Sequence, residues 1–268
     1  MREIFCSTGA YIGRANEFDP ELIPFYGRQI HCDGFEFMVV SGWERKPSEI
    51  VRSLGDCGMV FRTLHSDKLI GQCLSEGKDD DAMALFDESL RAAVAAGAEK
   101  MVLHMWGGVV SDSCFAHNLT YLPRMVERCG EAGVTLCVEN VPCACGDPIA
   151  HWRDCEALCS DVRFIYDTRF GYFAGTLERD VGLFSDAVFG AKTVHMHVSD
   201  FTGVQHDFHC LRPIPMPGEG SIDFDSFFAA VKPIYSGTVT LESPSLDEHG
   251  HVDPERLSAA IEYIRQRL

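Results

Sequence analysis

The sequence predicts one α/β domain over residues 1–268, a (β/α)8 TIM barrel. Three observations carry that expectation. Short apolar runs alternate with helical patterns from end to end. Each run with its helix takes about 30 residues, the size of a βαβ step. Six runs end in a side chain able to ligate a divalent metal: FRTLH (His65), MVLH (His104), LCVE (Glu139), FIYD (Asp167), VHMH (His197) and TVTLE (Glu242). Parallel barrel strands deliver their last residues to one face, so a succession of such ends points to one site there.

The strands are expected at 3–8, 34–39, 60–64, 100–105, 134–139, 162–167, 192–198 and 237–242. Each is rich in β-branched, aromatic or other apolar residues, as a strand buried on both faces requires. The clearest helix is 79–100, with an acidic start, apolar residues at helical spacing and Gly97 as a stop. Helices at 119–134, 224–234 and 254–268 follow the same plan. A first helix is expected within 19–29 and a sixth near 175–189. No G-x-G-x-x-G turn follows the first strand, so a dinucleotide fold lacks its best marker. One long irregular stretch, 199–222, breaks the alternation, and a loop of that length in a compact domain is usually functional.

Composition narrows the partners. The formal charge is −17, from 23 Lys+Arg against 40 Asp+Glu, and no Lys/Arg run concentrates the positive charge. Such a surface repels phosphate backbones, so nucleic acid is not the expected partner. The 12 cysteines form no C-x-x-C pair, and Cys6, Cys129, Cys137 and Cys159 lie inside apolar patterns. Free thiols in a reducing cytoplasm are therefore expected. No signal peptide is expected before the first strand, IFCST, and no stretch of the sequence approaches the length of a membrane span.

Glu139, Asp167, His197 and Glu242 together offer three carboxylates and an imidazole, a set that suits Zn, Mn, Mg or Co. His65 and His104 end the preceding strands, and the long loop adds His206, Asp207 and His209, of which Asp207 and His209 form a D-x-H pair. Any one such residue is ordinarily a packed histidine or a helix cap. It is their order along successive strands that argues for a metal. His195 lies two residues before His197, deeper on the same side, and reads as a core histidine with satisfied nitrogens. Cys143 and Cys145 form a C-x-C just past the fifth strand, which reads as plain loop.

The ordered runs LCVEN (136–140), FIYDT (164–168), VHMHVSD (194–200), PGEGSIDF (217–224) and TLES (240–243) resemble the xylose isomerase-like TIM barrels over nearly the whole chain. That superfamily includes sugar epimerases and isomerases, inosose and dehydroshikimate dehydratases, and zinc apurinic endonucleases. The resemblance implies a metal held by Glu139, Asp167, His197 and Glu242, with the two glutamates also acting as the acid/base pair. In the endonucleases three zincs are bound, and their additional ligands match His65, His104, Asp207 and His209. The histidine that the family carries three residues after the strand-six aspartate is Phe170 here. That exchange removes a ligand of the third zinc and alters what is a substrate contact in the sugar enzymes. Barrels of this family often pair, so a homodimer or higher homo-oligomer is implied.

The expected activity is a metal-dependent isomerisation or epimerisation of a small sugar, keto-sugar or polyol derivative. Proton transfer would pass through a metal-stabilised enediolate, with one ion bound. Glu139 and Glu242 are the expected catalytic residues, Asp167 and His197 plain ligands, and Asp200 the outer partner of the ligating histidine. Trp106, Arg169, Phe170 and Arg212 are expected at the mouth, against the sugar. Three other readings are a zinc phosphodiesterase of the apurinic endonuclease type with up to three ions, a dehydratase of the inosose or dehydroshikimate type, and a non-catalytic barrel that binds a sugar or metal for sensing or storage.

Overall fold

In the computed structural model, which describes residues 2–268, eight strands lie where the alternation places them. They are β1 (Ile4–Ser7), β2 (Gly34–Met38), β3 (Phe61–His65), β4 (Lys100–Leu103), β5 (Thr135–Glu139), β6 (Arg163–Asp167), β7 (Thr193–Val198) and β8 (Thr238–Leu241). Their order in the sheet follows the sequence, and the sheet closes into a barrel. Helices lie between: α1 (Leu22–Gly27), α2 (Pro47–Asp56), α3 (Leu69–Ser75), α4 (Asp79–Ala96), α5 (Phe115–Leu119) and α6 (Leu122–Glu131). The series continues with α7 (Pro148–Leu158), α8 (Thr168–Phe173), α9 (Leu177–Asp180), α10 (Phe189–Lys192), α11 (Phe224–Val231) and α12 (Pro254–Arg267). No helix among the described residues is long and apolar enough to cross a membrane.

Local chemistry sets the helix ends. Asp79, Asp80 and Asp81 complement the N-terminal dipole of α4. Gly97 stops that helix in the left-handed region at φ 66°, its N–H bonded back to Ala93 and Val94. The helix is therefore shorter than the expected 79–100, and Lys100 already belongs to β4. Asp147 caps α7 and Asp253 caps α12, each followed by a proline in the first turn, where a missing N–H costs nothing. The expected 119–134 helix shrinks to α6, which has Pro123 in its first turn and is preceded by the separate α5. The expected sixth helix breaks into α9, a 3-10 turn over Val181–Ser185, and α10.

The chain divides into two compact units, and both divisions fall inside strands, β2 and β6, rather than in linkers. In the unit Phe37–Ile165, β3, β4, β5 and β6 pair in parallel, with His65 opposite Val102, Val102 opposite Cys137 and Glu139 opposite Ile165. Outside them α2 and α3 pack on α4. One polar tie joins two of these helices: Glu88 Oε1 accepts from Ser48 N at 3.0 Å and Ser48 Oγ at 2.6 Å. The other unit holds Tyr166–Leu268 and the N-terminal residues through Glu36. There β1 pairs with β2 and β8, and β7 pairs with β8, setting His197 opposite Thr240 and so two residues short of Glu242. Helix α12 packs on β1, and Tyr166, Phe184 and Phe227 form an aromatic cluster around β6. Strand side chains are buried on both faces, which accounts for the near-continuous apolar runs.

Candidate metal and acid/base site

In the unit Phe37–Ile165, three strand-end donors meet. Glu139 closes β5, His65 closes β3, and His104 follows β4 directly. His104 Nε2–H donates to Glu139 Oε2 at 2.6 Å, and His65 Nε2 lies 3.6 Å from the same oxygen. His65 Nδ1 is held by its contact with Ser66 O at 2.8 Å, so the edge bearing Nε2 faces Glu139. The two rings meet edge to face at 4.8 Å. Burial pulls His104 down to about 4, against the opposite pull of Glu139, so the ring is neutral at neutral pH.

In the other unit, Asp167 closes β6 and caps α8, its Oδ1 accepting from Phe170 N at 2.9 Å. His197 sits on β7 between two carboxylates: Nε2 is 3.1 Å from Glu36 Oε2, and Nδ1 is 3.5 Å from Glu242 Oε2. Glu36 and His197 are fully buried, whereas Glu242 keeps some exposure. Burial would raise the Glu36 carboxyl, but His197 and the hydrogen bonds from His195 and His197 hold it well below the usual carboxylate range. An ionised carboxylate only accepts, so His197 donates its Nε2–H to Glu36 and presents its Nδ1 edge toward Glu242.

His195 is a core histidine with both nitrogens satisfied, Nδ1 against Thr238 Oγ1 at 2.6 Å and Nε2 against Thr240 Oγ1 at 2.9 Å. It also lies 3.5 Å from Glu36 Oε2, so Glu36, His195 and His197 form one buried cluster.

Asp200 does not partner His197. Its Oδ1 accepts from Phe201 N (2.8 Å) and Ile222 N (3.0 Å), and its Oδ2 from Gly218 N (2.9 Å) and Gly220 N (2.8 Å). It organises the P-G-E-G loop, in which Gly218 takes φ +90°. The outer position expected of Asp200 is filled by Glu36 instead. Sequence reasoning passed over Glu36 because it lies mid-strand in GFEFM; an acid inside an otherwise apolar strand was the available signal.

The remaining expected residues are dispersed. Asp207 caps a short 3-10 turn over Phe208–Leu211, accepting from His209 N at 2.9 Å, and His209 is exposed. Neither belongs to a cluster of ligand atoms among the described residues. Trp106 is fully buried and donates to Pro142 O at 3.1 Å. Arg169 lays its guanidinium over the Phe170 ring at 4.3 Å and donates to Leu211 O at 3.1 Å, both residues being buried. Arg212 is exposed.

A closed parallel barrel with carboxylates and imidazoles at its strand ends is a (β/α)8 protein with donor groups placed where that architecture carries its chemistry. The chain belongs to the xylose isomerase-like TIM barrel family, whose family model matches residues 27–267. Among solved structures, it is similar to a D-allulose 3-epimerase from Methylomonas sp. in complex with D-allulose, at 18% identity and a TM-score of 0.67, over 100% of this chain and 98% of that one. It is also similar to the IolI protein with a bound zinc atom, at 15% identity and a TM-score of 0.67, over 99% and 96% of the two chains. A fusion of a xylose isomerase-like TIM barrel with 4-hydroxyphenylpyruvate dioxygenase gives a TM-score of 0.72 at 15% identity. The match takes in 96% of this chain and only 41% of that longer one. Among curated protein sequences there is no match.

Proposed function

We propose that this protein is a divalent-metal-dependent isomerase or epimerase of a small sugar, keto-sugar or polyol derivative. The observation that carries the reading is the run of donors Glu139, Asp167, His197 and Glu242 at or just past the ends of the consecutive strands β5, β6, β7 and β8. The set fits a cation: three carboxylates and one imidazole match Zn, Mn, Mg or Co, and His197 is already turned so that Nδ1 faces the Glu242 side. When bound, the ion polarises the substrate carbonyl and offsets the negative charge left by proton loss beside it.

Glu139 and Glu242 take the proton-transfer roles. One carboxylate removes the proton α to the carbonyl, and the other returns a proton to the opposite face of that carbon or to its neighbour. His104 orients Glu139 through their 2.6 Å hydrogen bond, which makes it a positioning residue for the acid/base group. Asp167 and His197 act as ligands. The epimerase and the zinc-binding protein named above share this barrel over nearly their whole lengths, which supports the reading. The phosphodiesterase reading loses ground because Asp207 is engaged as a cap, His209 is exposed, and the charge is −17.

Elemental analysis of the purified protein, followed by a screen of ketoses and keto-polyols in deuterated water with the ion found, tests the proposal. One ion per chain with deuterium entering the carbon next to the carbonyl is the expected result. Three zincs with nicking of an abasic duplex would overturn it, and loss of water from the product would reassign the protein as a dehydratase.

A further inference from the structure

We infer a second cation site, separate from the strand-end donors, built from Asp112, Cys143 and His151. Asp112 lies in the loop after β4, Cys143 in the loop after β5, and His151 in the first turns of α7. One donor atom from each falls within 4.8 Å of the others. Sulfur, nitrogen and oxygen in one cluster suit Zn2+ or Co2+, with a coordination position left for water.

The cluster is preorganised. His151 Nε2 is 2.9 Å from Asp112 Oδ2. Asp112 Oδ1 is fully engaged by Ala144 N at 2.8 Å and Cys145 N at 2.9 Å, so the loop is anchored by one oxygen and Oδ2 faces the ring. Phe115 stacks on the His151 ring at 3.8 Å, and Trp106 meets it edge-on at 5.0 Å. Trp106 in turn holds the Cys143 loop through Pro142 O. The imidazole cannot swing away without breaking this packing.

Gly146 lies against the same two atoms. A Cβ at Gly146 would stand 3.0 Å from His151 Nε2 and 3.1 Å from Asp112 Oδ2. Gly146 is not among the glycines with positive φ, so a side chain there would press on the two donors rather than strain the backbone. Gly146 is itself exposed, which gives an entry path. A divalent cation bound there displaces the Cys143 thiol proton and neutralises the thiolate and the Asp112 carboxylate together.

Cobalt reads the site out, because the strand-end donors contain no sulfur. Metal-free full-length protein titrated with Co2+ alone should develop a near-ultraviolet thiolate-to-cobalt charge-transfer band. Asp167→Asn should keep the band, so this outcome is independent of the proposed isomerase site. Cys143→Ser should abolish it. Gly146→Ala retains all three donors but fills the space beside them, and should weaken Co2+ binding by about tenfold or more, the range that changes around a metal's ligands produce. Absence of the band in the wild-type protein, its survival in Cys143→Ser, or unchanged affinity in Gly146→Ala would each overturn the inference. If Cys143→Ser fails to fold, Gly146→Ala decides alone.

Discussion

Glu36 Oε2 stands 3.1 Å from His197 Nε2, and neither side chain reaches solvent. This pair fixes which imidazole nitrogen faces the strand-end donors. A carboxylate in the middle of an apolar strand is costly unless it is paired, and its partners are the two histidines of β7.

Glu36→Gln tests that role. The amide has nearly the same volume but offers a donor as readily as an acceptor, so the His197 tautomer is no longer imposed. Affinity for Mn2+ should fall about 10- to 100-fold, the usual effect of losing an outer partner. Chelator-competition titration of the folded variant measures it, and an unchanged affinity would remove Glu36 from the site.

Replacement of the acid/base pair should separate chemistry from binding. Glu139→Gln and Glu242→Gln should each slow exchange of the substrate's α-proton with solvent by roughly 10²- to 10⁴-fold. The assay is deuterium incorporation into a ketose that the wild-type protein turns over. Exchange at the wild-type rate in either variant would show that its carboxylate moves no proton.

Asp200→Asn should loosen the segment 216–222. The carboxylate accepts four backbone N–H groups, and an amide nitrogen turned toward two of them cannot accept. A loss of roughly 1.5–3 kcal/mol is expected from the charge-assisted bonds. Amide hydrogen exchange at Gly218, Gly220 and Ile222 should accelerate while exchange in β7 stays slow.

Glu88 supplies a pH-dependent prediction. Burial would raise its carboxyl, but the Ser48 hydroxyl and N–H and the Arg91 guanidinium hold it below its ordinary value. The folded state thus prefers the ionised form more than the unfolded state does. Its contribution is complete above the ordinary glutamate range and is lost as pH falls through the lowered folded value. Denaturation of Glu88→Gln should show a deficit of about 1 kcal/mol at neutral pH, as for a lost cap, which disappears in acid. A deficit that persists unchanged in acid would show that ionisation plays no part.

The strands and their terminal donors were legible because both rest on short-range chemistry: apolar runs mark the strands, and a polar residue at the end of such a run is conspicuous. Glu36 was not, because the same reasoning looks only at strand ends. Asp200 lies three residues after His197, which suggested a partnership. The chain turns there, and the carboxylate faces backbone N–H groups more than fifteen residues further on. Trp106, two residues past His104, read as a mouth residue, but its loop folds back and buries the indole. The grouping of Asp112, Cys143 and His151 depends on two loops and a helix, and no spacing in the sequence encodes it.

The His195 ring, clasped by Thr238 and Thr240, locks the register of two strands. Because those threonines are two apart on β8, sliding β8 past β7 by one residue would swing both hydroxyls to the opposite side and leave the ring ungripped. The alignment of His197 with Glu242 is thereby gauged from below, in a layer that a ligand at the strand ends need not touch.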